Sequence, residues 1–303
     1  MIDFRPITLD DKDKCNNLLH DGQSRGCEYS FANLYLWGRQ RACILHDHLV
    51  LFSQFNRKSV YPFPVGTGDK KVVLDAIIAD ARERGIPCRI TGMNEDNMAL
   101  LEQLYPGEFR FHCDRDSYDY VYDIDDLADL KGRKYQRKRN HVNRFNQNYP
   151  NCEILPLCDN NRAQALQMAR RWYEERLQQD PSGDYHMERT ALLKALEHSE
   201  ALGMEALVMF DGDTVIALTM GSRLSPDTFD VHFEKALAEV DGAYAAINCA
   251  FARYIREKYP EVRYLNREDD LGLEGLRKAK LSYCPHHMEE KCWACLLEEG
   301  YDY

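Results

Sequence analysis

The 303-residue chain contains no run of about eighteen uncharged apolar residues, the shortest that makes a helix able to cross a bilayer. Its start, Met1-Ile2-Asp3-Phe4-Arg5, lacks the apolar stretch of a secretory signal. Together these absences predict a soluble, cytoplasmic protein with no stable membrane insertion. A surplus of positive charge is missing as well. The 39 Lys and Arg stand against 50 Asp and Glu, a formal net charge of -11. That balance argues against a protein that coats nucleic acid or an anionic membrane through bulk charge. The eleven cysteines are an odd number scattered through periodic segments, which predicts reduced, buried thiols rather than a disulfide framework.

What is present is enough chain for two domains. Ser30 reads as a cap for a helix whose Phe31, Leu34, Tyr35 and Trp37 recur at helical spacing. Residues 42–45 and 49–55 read as strands joined through His46-Asp47-His48. Then follow a strand at 61–65, the turn Gly66-Thr67-Gly68-Asp69, a helix at 70–84, a strand at 88–91 and a helix at 94–105. A strand at 118–124 closes a first domain of residues 1–126. A basic linking helix spans 127–150, and a second domain spans 151–303. In the second domain we expect a strand at 152–155, helices at 161–177 and 188–198, and an exposed loop at 180–184 between them. A hairpin at 204–223 leads to strand 229–235, helix 242–256, strand 263–268 and helix 271–283. The closing order repeats that of residues 61–105, and Met93-Asn94-Glu95-Asp96 matches Asn266-Arg267-Glu268-Asp269. We therefore expect an α/β (α+β) fold: a tandem duplication of two domains, each a mixed twisted sheet flanked by helices. The first copy is degenerate, with proline rather than a base on its strand.

Several residue groups can carry chemistry. Strict alternation from Phe229 to Lys235 puts Phe229, Val231 and Phe233 on one face and Asp230, His232 and Glu234 on the other. Either that polar face meets solvent, or Glu234 and His232 act on an amine nucleophile, Glu234 as base and His232 as alternative base or orienting partner. Asp241-Gly242-Ala243-Tyr244 opens a helix, where free N–H groups favour an anion or the glycine permits close packing. Residues 131–144 hold seven Lys or Arg and no acid, so Arg133, Arg137 and Lys138 offer contacts to phosphates unless the helix face is merely solvated. On the final helix, Arg277 and Lys280 share one face, while Leu276, Ala279 and Tyr283 share the packing face. Tyr283 is positioned to protonate a leaving group, or serves as a core tyrosine. Cys284, His286, His287, Cys292 and Cys295 have the composition of a zinc site. On a strand at 291–297, however, Cys292 and Cys295 point to opposite faces, and we expect no metal.

The segments 28–37, 132–141, 232–236 and 266–280, with Glu28-Tyr29-Ser30-Phe31, Gly132-Arg133-Lys134-Tyr135, His232-Phe233-Glu234-Lys235-Ala236 and Gly275-Leu276-Arg277-Lys278-Ala279-Lys280, resemble a bacterial family. That family is similar to the C-terminal catalytic domain of phosphatidylglycerol lysyltransferases and, more distantly, to Fem-type aminoacyltransferases of the N-acetyltransferase (GNAT) superfamily. The resemblance implies transfer of an acyl or aminoacyl group from aminoacyl-tRNA or acyl-coenzyme A to an amine or hydroxyl of a small-molecule or peptide acceptor. It implies no metal. It makes strand 229–235 central to a reaction cleft. Backbone N–H groups of Lys235, Ala236 and Leu237 would hold the oxyanion, and Gly242, Ala243, Tyr244, Asn266, Arg277 and Lys280 would contact the donor. The superfamily's coenzyme A signature, Arg/Gln-x-x-Gly-x-Gly/Ala, is altered here: Asp241 precedes the glycine and Tyr244 replaces the second one. A different class, a GNAT-fold module that binds a nucleotide or RNA through the basic helix without catalysis, fits the same segment 131–144.

Overall fold

Ser30, Asp69 and Asn94 each turn a side-chain oxygen onto a free amide of the first helical turn, and they start the helices Phe31–Trp37, Lys70–Arg84 and Glu95–Leu104. These elements belong to a computed structural model that describes residues 1–21, 25–55, 58–181, 183, 185–297, with Ser182 and Asp184 of the expected 180–184 loop outside them. The chain forms two compact units. One comprises Met1–Asp119, Asp269–Leu273 and the described residues from Met288 on; the other comprises Tyr120–Glu268 and Glu274–His287.

In the first unit the strand order is Arg5–Pro6, Gln40–Leu45, His48–Phe55, Lys58–Pro62, Arg89–Met93, Cys292–Leu296, Phe109–Cys113, and Val65–Gly66 pairs with His48–Phe55. His46 and Asp47 both take positive φ (51° and 57°), the backbone of a two-residue hairpin turn. Lys58–Pro62 and Arg89–Met93 run parallel and the other pairs are antiparallel. Phe4, Phe52, Tyr61, Leu74, Ile77 and Ile90 form the core between this sheet and helix Lys70–Arg84.

Two expectations need correction here. Residues 288–297 do not complete the second domain; Cys292–Leu296 lies between two strands of the first sheet. Nor are all the thiols reduced, because Cys292 is joined to Cys113, its antiparallel partner, in a disulfide.

In the second unit Glu153–Pro156, Glu205–Asp211, Thr214–Ser225 and Thr228–Ala236 form antiparallel neighbours. Tyr264–Asn266 then runs parallel to the last of these, and residues 121–123 pair with it. The expected linking helix is part of this unit and is broken. Ile124–Asp129 ends at Leu130 (φ 51°), Gly132 has φ 84°, and Gln136–Asn148 begins after a short turn. The Arg139 guanidinium donates to the carbonyls of Leu130 and Gly132, fixing the break.

Candidate active site

The strand Thr228–Ala236 and its parallel neighbour pair only at Thr228, Phe229 and Asp230, with Asn266 opposite Asp230. Beyond Asp230 the two strands part, and residues 231–236 keep strand partners, among the described residues, only on the Thr214–Ser225 side.

The strict alternation predicted for this strand fails at one residue. Gly221 pairs with Val231 and Met220 with Phe233, so His232 is an extra residue in a bulge. Gly221 is required there, since a Cβ would lie 2.2 Å from the carbonyl of Asp230. After the bulge Glu234 changes face. It is opposite Thr219, and it meets helix Ala243–Lys258 on the side where Phe229 meets Phe251 of that helix. Lys235 goes to the other face, donating to Glu188 at 2.6 Å with its ammonium 4.1 Å from the Trp172 ring.

On the helix Ala243–Lys258 side, the Glu234 carboxylate accepts from Asn248 Nδ2 and Arg267 Nη2, each at 2.9 Å. The Glu234 and Arg267 side chains are 10% and 13% exposed. Burial alone would lower the Arg267 pKa, but the Glu234 charge carries it upward. The pair leaves buried polar atoms without partners among the described residues: Arg267 Nη1, Asn248 Oδ1 and Thr219 Oγ1. Such atoms are costly to leave unmet, and they mark a place for a polar group. Arg267 also lies 4.8 Å from the ring centroid of Tyr283, whose other cationic neighbour, Lys138 Nζ, is at 3.6 Å. Burial pushes the Tyr283 hydroxyl pKa up. Burial first, then the Arg267 charge, pushes the Lys138 ammonium down to about 8. Lys138 in turn lines a cavity of about 530 Å³ with Lys134, Arg137, His141, Ser282 and Cys284.

The remaining expected residues divide. Arg133 and Arg137 are exposed. Lys280 departs from expectation: it is 8% exposed, and its ammonium donates to the carbonyls of Arg267 (2.5 Å) and Glu268 (3.0 Å). Leu276, expected to pack, is exposed with Ala279, and Arg277 is half-buried. Asn266 is fully buried and accepts from the Glu268 N–H at 2.7 Å. The Leu237 N–H is already donated to the Ile216 carbonyl, and the Ala236 carbonyl accepts from the Trp172 indole. The oxyanion role therefore fails at Leu237. Gly242 caps its helix at φ 85°, where a Cβ would lie 2.6 Å from the carbonyl of His141. Close approach of two helices explains this glycine without an anion. Ala243 is buried, its N–H given to the Val240 carbonyl, and Tyr244 accepts from the Trp172 indole through its hydroxyl.

On the opposite face the His232 ring meets Ser222, Asp230 and Glu268. Nε2 is 2.8 Å from Ser222 Oγ, and Nδ1 is 3.2 Å from Glu268 Oε1 and 3.4 Å from Asp230 Oδ2. The expected His232–Glu234 partnership is absent. Sequence reasoning missed Arg267, Asn248, Thr219, Ser222 and Glu268. One signal was available for Asn248, a polar residue within the apolar Ala245–Ala246–Ile247–Cys249–Phe251 face of its helix.

A model of the family described as phosphatidylglycerol lysyltransferase, C-terminal, matches residues 20–295. A conserved protein of unknown function from Bacteroides thetaiotaomicron VPI-5482 is similar in structure at 40% identity, over 98% of this chain and 100% of that one, with a TM-score of 0.92. The L-PGS structure from Bacillus licheniformis is similar at 14% identity, over 96% and 92% of the two chains, with a TM-score of 0.69. FemX follows at 11% identity, over 98% of each chain, with a TM-score of 0.62. The last two likenesses establish the fold. A comparison with curated proteins returned no match.

Proposed function

Because the chain belongs to the phosphatidylglycerol lysyltransferase C-terminal family, we propose that it is an acyltransferase, moving an acyl or aminoacyl group from aminoacyl-tRNA or acyl-coenzyme A to an amine or hydroxyl acceptor. One observation carries the reading. Arg267 Nη1 is a buried donor without an acceptor among the described residues, on a guanidinium that Glu234 holds in place. A donor carbonyl set against Nη1 gains a charge-assisted hydrogen bond that strengthens as negative charge grows on its oxygen.

The acceptor nitrogen or oxygen attacks the carbonyl carbon directly, and the bond to the donor's leaving oxygen or sulfur breaks. Glu234 was the expected base. With both its oxygens accepting from Arg267 and Asn248, its role in this reading is to aim the guanidinium. Lys138, its pKa pushed down to about 8, then takes the acceptor's proton in its neutral form. Tyr283, whose ring lies against both the Lys138 amine and the Arg267 guanidinium, helps to position both and presents its hydroxyl to the leaving group. Donor phosphates occupy the cationic cavity beside Lys134, Arg137 and His141, with exposed Arg133 at hand.

The test is a thermal-shift and transfer assay with coenzyme A, acetyl-coenzyme A and charged tRNA offered separately. Stabilisation by a donor, together with acyl transfer that Arg267→Gln abolishes, is the expected result. Transfer that is unchanged in Arg267→Gln removes the proposed site.

A second reading, RNA or nucleotide binding without catalysis, is favoured by one feature. Neither Arg133 nor Arg137 forms an ion pair among the described residues. In that case ligand affinity falls when Arg133 and Arg137 are neutralised, and Arg267→Gln leaves it unchanged.

A further inference from the structure

We propose that Asp230, His232 and Glu268 form a binding site for a divalent cation of the zinc or manganese type, on the face of the second sheet opposite Glu234. Each of the three offers one ligand atom, and the three atoms lie within 4.8 Å of one another. The imidazole Nδ1 stands 3.2 Å from Glu268 Oε1 and 3.4 Å from Asp230 Oδ2. Those are the separations of ligands sharing one ion at bonds of about 2.1 Å. Two carboxylates and an imidazole nitrogen converging at these distances form a donor set that one divalent cation can hold together.

The surrounding residues hold the ring as metal ligands are held. Ser222 Oγ is 2.8 Å from Nε2; an Nε2–H donated to it leaves the Nδ1 lone pair turned toward the carboxylates, the usual outer support of a ligating histidine. The bulge at His232 aims the ring out of strand alternation. Glu268 has a left-handed backbone (φ 57°) that is held at both ends: its N–H is bound by Asn266 Oδ1 and its carbonyl by the Lys280 ammonium. This gives the buried Lys280 and Asn266 a shared purpose, the placement of one carboxylate. Asp230 and His232 side chains are 0% and 1% exposed, while that of Glu268 is 20% exposed, so the ion would enter past Glu268. One nitrogen and two carboxylate ligands suit zinc or manganese better than a thiolate-seeking metal, and three protein ligands leave a position for water or a substrate oxygen. The inference departs from the metal-free expectation of the sequence and does not depend on acyl transfer.

The experiment uses the full chain, freed of purification tags and stripped with EDTA, then dialysed against zinc alone or manganese alone. Elemental analysis should return about one metal ion per chain, and the same ion should raise the melting temperature, an effect that EDTA reverses. His232→Ala risks the core, so Glu268→Gln, at the open edge, is the deciding variant. It should keep the wild-type circular dichroism and bind the ion at least about tenfold more weakly. Sub-stoichiometric metal with no melting shift for either cation overturns the proposal, as does wild-type affinity in Glu268→Gln. The cluster is then a Ser222–His232–carboxylate hydrogen-bond network.

Discussion

His232 and Glu234 stand two positions apart on one strand and face opposite sides of the sheet. The proof is in their partners across the strand pair. Glu234 lies opposite Thr219 and His232 bonds to Ser222, three residues apart on a neighbouring strand whose own alternation is unbroken between them. One extra residue thus separates two polar centres that strict alternation would merge. Bulges beside reaction clefts often re-aim side chains in this way. Here it sends Glu234 to Arg267 and leaves His232 among Asp230, Glu268 and Ser222.

Glu234→Gln should separate the charge from the shape of that contact. The glutamine can still accept from Arg267 or Asn248, yet it leaves a guanidinium buried without its counter-charge. Breaking such a pair from one side costs about 3–5 kcal/mol. We expect a lower melting temperature, a transfer rate reduced about 10²–10³-fold as for loss of an oxyanion donor, and donor affinity close to wild type. Unchanged turnover would take the pair out of the reaction.

The pH profile tests Lys138. Its ammonium is pushed down to about 8 by burial and the nearby Arg267, so the neutral amine becomes the major form only above that pH. Transfer should rise about tenfold per pH unit below 8 and level off above it. Lys138→Arg, which keeps the charge but cannot lose its proton, should give a low rate with no inflection near 8. An inflection retained in Lys138→Arg assigns it to another group.

Much of the fold was legible because its signals are local. Ser30 caps its helix as expected, the helices expected at 70–84 and 94–105 form with Asp69 and Asn94 as their caps, and His46 with Asp47 makes the predicted turn. What escaped is set by partners distant in sequence. Nothing within residues 288–297 says that Cys292–Leu296 pairs with Arg89–Met93 and Phe109–Cys113. The bulge at His232 exists only relative to Gly221 on the next strand. Lys280 reads as a surface cation until the carbonyls of Arg267 and Glu268 are seen to receive it. At the site, Glu234, Lys138 and Tyr283 were named in advance, while Arg267 was visible only as part of a repeated junction.

Gly242 separates packing from anion binding. At φ 85°, with a Cβ destined to lie 2.6 Å from the His141 carbonyl, Gly242→Ala should lose about 1–3 kcal/mol of stability through separation of the two helices. Urea denaturation should show this loss in the absence of any donor. A variant as stable as wild type would return the glycine to the donor site.

Arg133 and Arg137 should behave in the opposite way. Both are exposed and neither forms an ion pair among the described residues, so Arg133→Gln and Arg137→Gln should melt like wild type. If the donor is charged tRNA, each should weaken its binding and lower the slope of log affinity against log salt by about 0.7–0.9. Equal salt slopes in wild type and both variants would place the phosphates elsewhere.

Glu289, in the first unit, gives a stability test with a definite sign. Burial first, then the Asp119 charge, raises its pKa from 4.5 to about 7. Nearby, Lys291 already serves Asp119 at 2.6 Å, with Glu28 at 3.4 Å and Asp269 at 3.7 Å. A folded-state pKa above the unfolded one means that the folded chain holds the extra proton between about 4.5 and 7. The group's contribution to stability is therefore fully present below 4.5 and is lost as pH rises through 7. Glu289→Gln, neutral at every pH, cannot lose it. The variant and wild type should melt together near pH 4.5, and the variant should melt higher above pH 7, the gap opening between those limits. Melting curves that stay parallel across that range would show that the carboxyl is already ionised in the folded chain.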